Sequence, residues 1–160
     1  MSQAFVKEGD SSEDLPERPL SDRPNYVTAA GHSELRRRRD ELARSRADLV
    51  ARRGPDTEAE LKRVERDLRY FEARLRSAIE VKPPGDAGEA RFGATIDIQE
   101  GGQKRRYLIV GEDEADPARG KLSWCSPLAL AMMGAKAGDE IDWEGPQGPS
   151  RFSVVAVTYP

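Results

Sequence analysis

Residues 61–78 read Leu61-Lys62-Arg63-Val64-Glu65-Arg66-Asp67-Leu68-Arg69-Tyr70-Phe71-Glu72-Ala73-Arg74-Leu75-Arg76-Ser77-Ala78, and this stretch decides the fold. Its apolar residues Leu61, Val64, Leu68, Phe71, Leu75 and Ala78 recur at alternating steps of three and four. That spacing draws one apolar seam along one face of a helix and leaves the charges on the rest. Such a seam needs a partner.

The partner lies just upstream. From His32 to Arg53 neither glycine nor proline interrupts the chain, and Leu35, Leu42 and Leu49 fall seven apart. Thr28 and Ser33 are both suitable N-caps for this helix. Gly54-Pro55 stops it, because proline cannot continue a helix and glycine suits a helix end. Two helices joined by so short a turn run antiparallel, and at ~1.5 Å per residue each arm reaches roughly 33–36 Å. A hairpin of that length has no core beyond its seam and needs a base.

The base follows a break. Val81-Lys82-Pro83-Pro84-Gly85 cannot be helical. Beyond it Ala94-Thr95-Ile96-Asp97-Ile98 alternates, Gly101-Gly102 marks a hairpin turn, and Arg106-Tyr107-Leu108-Ile109-Val110 resumes as strand. Glu140 to Trp143 and Phe152 to Val157 read as further strands. Between them Ser126-Pro127 opens a short apolar helix through Met133, with serine as N-cap and proline at the first helical position. The expected fold is α+β, an antiparallel helical hairpin followed by an antiparallel sheet with one short helix. The expected boundaries are a flexible acidic, proline-containing tail at 1–25, the hairpin at 26–81, a linker at 82–90 and a C-terminal domain at 91–160. The tail, with Pro16, Pro19 and Pro24, holds too little apolar surface to offset its ordering entropy, Ala4-Phe5-Val6 excepted.

Charge distribution narrows the partners. Of the net −3, residues 1–31 contribute −3 (three basic, six acidic), residues 32–80 contribute +3 (fourteen basic, eleven acidic) and residues 81–160 contribute −3 (nine basic, twelve acidic). Only the hairpin is suited to a polyanion. Free duplex DNA is not an expected ligand, since the whole chain is acidic and carries no groove-reading motif. Cys125 is the single cysteine and His32 the single histidine, which excludes an intramolecular disulfide and a Cys/His metal site. No apolar run has the length of a signal peptide or a membrane span, so a soluble, cytoplasmic and monomeric protein is expected.

Phe92-Gly93-Ala94-Thr95, Arg106-Tyr107-Leu108-Ile109-Val110-Gly111, Ser126-Pro127-Leu128-Ala129 and Lys136-Ala137-Gly138-Asp139 together resemble the FKBP-like domain of the GreA/GreB transcription elongation factors, GreB more closely. Tyr26-Val27-Thr28-Ala29-Ala30-Gly31 resembles the family's approach to its first helix. The resemblance implies a factor that is no enzyme itself and binds RNA polymerase, its hairpin inserted in the secondary channel and its globular domain on the rim. An Asp and a Glu at the family's hairpin tip help to hold a second Mg²⁺ of the polymerase active centre, which activates a water to cleave backtracked RNA. The protein is thus expected to need no cofactor of its own.

The tip departs from the family. In place of Gly-Asp-x-x-Glu-Asn stands Gly54-Pro55-Asp56-Thr57-Glu58-Ala59-Glu60, leaving Asp56, Glu58 and Glu60 as candidate metal-assisting acids. An alternative reading makes Thr57-x-x-Glu60 a capping box and the acids complements to the helix dipole. Each arm is also shorter than the family's by roughly one heptad, or ~10 Å of helix. Cleavage stimulation is therefore expected to be weak or absent.

Two other sets of candidates remain. Arg36, Arg37, Arg38, Arg39, Arg44, Arg46, Arg52 and Arg53 surround the first helix, either as a solvated face paired to nearby acids or as a patch toward nascent RNA and the polymerase channel. Ser126 and Pro127 match the family segment implicated in rim docking, with Cys125 where the family has an acid. Glu112-Asp113-Glu114-Ala115-Asp116 is expected to be a solvated acidic turn, and Trp124, Trp143 and Phe92 core. The rival functions are a channel-occupying inhibitor or competitor of cleavage-competent Gre factors, a peptidyl-prolyl isomerase with a pocket drawn from Tyr107, Trp124, Trp143, Phe152, Phe92 and Tyr159, and a coiled-coil interaction module.

Overall fold

A computed structural model describes residues 15–86 and 88–160; Ala4-Phe5-Val6 lies outside them. The hairpin is α1 (Ala29–Ala51) against α2 (Glu58–Ser77). Of the two candidate caps, Thr28 starts α1, its hydroxyl accepting from the Gly31 N–H at 3.0 Å. Leu35, Leu49, Leu61 and Phe71 are buried along the seam, with Leu42 and Leu75 packed partly beneath them. Ala78, expected as the last seam position, is extended instead, because the chain leaves the helix there to form a strand.

That strand is β2 (Ala78–Glu80), which pairs in parallel with β1 (Asn25–Val27), Tyr26 opposite Ile79. The chain thus enters and leaves the hairpin side by side. Upstream of β1, residues 15–24 lie along α2. Arg69 donates to the Glu17 carboxylate at 2.6 and 3.1 Å, and the Arg18 guanidinium stands 3.9 Å above the Tyr70 ring with Asp67 3.5 Å away.

The C-terminal domain is a five-stranded sheet in the order β5-β4-β3-β7-β6, formed by β3 (Thr95–Glu100), β4 (Gln103–Val110), β5 (Lys121–Ser123), β6 (Glu140–Gly145) and β7 (Gly148–Thr158). Gly101 and Gly102 join β3 to β4 with φ of 52° and 84°, the left-handed pair that a two-residue hairpin demands. The expected purely antiparallel sheet needs correcting. The β4–β5 pair is parallel, because the chain between them makes two short 3₁₀ turns (Glu112–Glu114 and Pro117–Arg119) and returns in the original direction. A short helix α3 (Pro127–Met132) closes the core, setting Ala129 and Met132 among Ile96, Ile98, Ile109 and Phe152.

Candidate functional site

The first arm carries its arginines in a ladder of ion pairs. Glu34 receives Arg37 at 2.5 Å and Arg38 at 2.9 Å, which hold its carboxyl down at about 2. Arg37 also meets Glu41, Arg39 pairs with Asp40 at 2.6 Å, and Arg46 crosses to Glu65 on α2 at 3.0 Å. Arg52 donates to the Asp48 carbonyl at 3.4 Å. Arg36 and Arg44 enter no ion pair among the described residues. Such exposed pairs stabilise by a few tenths of a kcal/mol each. Their larger effect is to occupy much of the positive charge and leave Arg36, Arg44 and Arg52 most available to an anion.

At the tip, the expected capping box does not form. The Thr57 hydroxyl accepts from the Gly54 N–H and donates to the Gly54 carbonyl, both at 3.0 Å, closing the turn rather than capping α2. Glu58 lies 3.5 Å from Arg53, while Asp56 and Glu60 are exposed. No group of three His, Cys, Asp or Glu side chains among the described residues converges as a metal site.

The acidic run after β4 is not the solvated turn expected from its composition. The Glu114 carboxylate accepts from the Thr28 N–H at 3.1 Å, from the Thr28 hydroxyl and from the Gly111 N–H at 3.0 Å. A Cβ on Gly31 would overlap that carboxylate, and one on Gly111 would overlap the Tyr26 carbonyl. Arg74, only 3% exposed, donates to Asp113 at 2.5 Å and to the Asn25 side-chain oxygen at 2.7 Å, with Glu112 3.6 Å away. The Tyr70 hydroxyl donates to Asp113 at 2.5 Å, and its pKa is pushed up to about 12 by burial and by that carboxylate. Tyr26 adds its ring against Phe92 and edge-on to Trp124, which gives both aromatics a place at this junction. The hairpin is thereby tied to the sheet through buried charge, so its direction follows from the domain beneath it. No local pattern announces this; the signal was an acid-rich segment in a chain whose second arm supplies basic partners.

Near the same junction, Cys125 lies 3.1 Å from the Ser123 hydroxyl and 3.6 Å from a Glu112 carboxylate oxygen. Ser126 caps α3, accepting from the Ala129 N–H at 3.4 Å, and Pro127 is exposed at its first position. Sequence reasoning missed the outer side of this helix. Leu130 and Met133 are 54% and 37% exposed and continue from Pro127 at steps of three, an apolar stripe facing away from the core. Its signal was available: six residues cannot bury apolar side chains on every face.

A family model described as "Transcription elongation factor, GreA/GreB, C-term" matches residues 85–159. The transcription elongation factor GreB of Xanthomonas axonopodis pv. citri (strain 306) is 34% identical over 151 residues, covering 83% of this chain and 90% of the relative. The chain belongs to the GreA/GreB family. GreA of Nitratidesulfovibrio vulgaris (strain DSM 19637 / Miyazaki F) is 31% identical over 147 residues, covering 89% of this chain and 86% of the relative. Among solved structures, the GreA/GreB factor from Nitrosomonas europaea matches at a TM-score of 0.43 and 22% identity, over 84% of this chain and 99% of that one.

The GreA/GreB assignment makes the chain one of the transcription elongation factors. Of the aromatics an isomerase pocket would draw on, Tyr107, Trp143 and Phe152 line an open groove between the sheet and Leu128. Trp124 and Phe92 face Tyr26, and the Tyr159 hydroxyl donates to the Glu89 carbonyl at 2.5 Å. No helix among the described residues is long and apolar enough to cross a membrane.

Proposed function

We propose that this GreA/GreB-family chain binds RNA polymerase at its secondary channel and stimulates transcript cleavage weakly or not at all. The hairpin enters the channel, while Ser126, Pro127, Leu130 and Met133 dock on the rim with Cys125 behind them. Arg36, Arg44 and Arg52 face the channel wall or nascent RNA. The observation that carries the reading is the tip: it lacks the family's Gly-Asp-x-x-Glu-Asn run, and Glu58 lies 3.5 Å from Arg53. Neither the acid spacing nor the arm length suits a ligand for the polymerase's second Mg²⁺, so no catalytic step is assigned to this chain.

The same tip favours a second reading, in which the factor occupies the channel and competes with cleavage-competent relatives. Backtracked elongation complexes test both. The expected result is co-elution with core polymerase, no transcript shortening at saturating factor, and suppression of cleavage by a competent Gre protein added afterwards. Efficient shortening would overturn the proposal, and failure to co-elute would remove polymerase as the partner.

A further inference from the structure

Residues 15–24, upstream of β1, are fastened along α2. At the base, the Asn25 side chain donates to the Arg74 carbonyl at 2.8 Å and to the Ser77 hydroxyl at 3.2 Å, and accepts from the Arg74 guanidinium at 2.7 Å. Nearer the tip, Arg69 grips the Glu17 carboxylate with contacts at 2.6, 3.1 and 3.2 Å, and the Arg18 guanidinium lies 3.5 Å from Asp67. Pro16 and Pro19 bracket Glu17-Arg18. Pro19 favours extended backbone at Arg18, so the pair docks with little further loss of freedom.

Arg18 is the part of this strap that reaches the junction. Its guanidinium stands 3.9 Å from the centre of the Tyr70 ring and 5.4 Å from that of Phe71. Those two rings meet edge to face at 5.3 Å. The Tyr70 hydroxyl donates to Asp113 at 2.5 Å, and Asp113 holds Arg74. A continuous path of contacts thus runs from the strap, through one ring, to the acidic loop of the sheet domain. Together with Glu34, Arg38, Phe71, Asp113 and Glu114, Arg18 also borders a cavity of about 90 Å³ where strap, arms and loop converge. A flat cation on a ring face holds the tilt of the ring as well as its place. The tilt of Tyr70 decides where its hydroxyl points.

We propose that Arg18 is a positioning residue for the hairpin: stacked on Tyr70, it keeps that hydroxyl on Asp113 and so fixes the angle at which the arms leave the sheet domain. Residues 15–24 act as a brace. The buried Arg74–Asp113 pair is the joint, and the brace limits how the two parts swing about it.

Pulsed electron paramagnetic resonance on the full chain, without polymerase, reads this angle. Nitroxides go on Ala59→Cys near the tip and Gln99→Cys on β3, both exposed positions, in a Cys125→Ser background. Arg18→Ala is expected to widen the distance distribution about twofold, because the ring loses the cation that braces it. Tyr70→Phe keeps the ring but cuts the bond to Asp113, and should widen it similarly. The double variant should be no wider than either single one, since both break the same path. Arg23→Ala, on the same strap, should leave the distribution narrow, and the urea midpoint should move little in Arg18→Ala. An unchanged distribution in Arg18→Ala with a lowered midpoint would make Arg18 a general stabiliser and overturn the proposal. Additive widening in the double variant, or equal widening by Arg23→Ala, would overturn it as well.

Discussion

Arg74 on the second arm and Asp113 beyond β4 are joined at 2.5 Å, and this buried pair, shared with Asn25 and Tyr70, binds the hairpin to the sheet domain. Burying ions costs free energy, and the pair offsets that cost only while both partners and their hydrogen bonds remain. Arg74→Met should therefore destabilise the protein by about 3 kcal/mol, since it leaves Asp113 without its counter-charge. Denaturant unfolding measures this. A loss below about 1 kcal/mol, the range of an exposed pair, would show the junction to be held by apolar contacts instead.

Tyr70 makes the junction sensitive to alkali. Its hydroxyl titrates near 12 in the fold because burial and Asp113 disfavour the phenolate, whereas an unfolded tyrosine titrates at about 10. The native state keeps the proton longer, so the contribution is complete below about pH 10 and is lost as pH rises toward 12. Unfolding midpoints of the wild type should fall more steeply across that window than those of Tyr70→Phe. Parallel curves would contradict it.

Gly31 offers a test of sign. In an exposed helix, Gly→Ala stabilises by about 1 kcal/mol. Here the new methyl would overlap the Glu114 carboxylate, so Gly31→Ala should destabilise instead, by about 2 kcal/mol, the size of an overpacked site. Adding Glu114→Ala removes the obstruction, and the double variant should recover part of the loss. If it lies below both single variants, steric overlap is not the cause.

Pro55→Asp rebuilds the family's Gly-Asp-x-x-Glu run on Gly54 and Glu58. If reach also limits the factor, this change alone should leave transcript cleavage at the basal rate. The same substitution with one heptad added to each arm, ~10 Å of helix, should then raise it. A gain from Pro55→Asp alone would show that the missing acid was the sole defect.

Leu130→Asp places a charge on the exposed stripe of α3 without touching the core beneath. Stability should change by less than about 0.5 kcal/mol, the usual range for surface substitutions. Polymerase affinity should fall at least tenfold, about 1.4 kcal/mol, if this stripe is the docking edge. Unchanged co-elution would move the docking site elsewhere.

What was legible in the sequence was local. The spacing of Leu61, Val64, Leu68 and Phe71 specifies a helix face without reference to the rest of the chain, and Ser126-Pro127 and Gly101-Gly102 specify a cap and a turn in the same way. The acidic junction was not legible, because Glu114 meets Thr28 across 86 positions and Asp113 meets Arg74 across 39. A run of acids in a sequence carries no label for its counter-charges. Thr57 illustrates a competition: its hydroxyl serves either the helix or the turn, and Gly54 takes it. The parallel β5 was hidden because strand direction depends on the path through 111–120, which has no periodic signature. The site candidates remain expectations carried by family likeness, except that Glu58 and the arginines other than Arg36 and Arg44 now have assigned neighbours.

The parallel pairing of β1 with β2 gives the hairpin a closed stem, with Asn25 beside Ala78 and Val27 beside Glu80. Only the outer part of the hairpin, beyond the contacts of Thr28, Gly31, Arg69, Tyr70 and Arg74, is therefore a detachable cassette. Its length can change by equal segments on both arms without altering the stem or the sheet below. How far the factor reaches is thus an independent variable, open to selection and to grafting, while the socket that aims it stays constant.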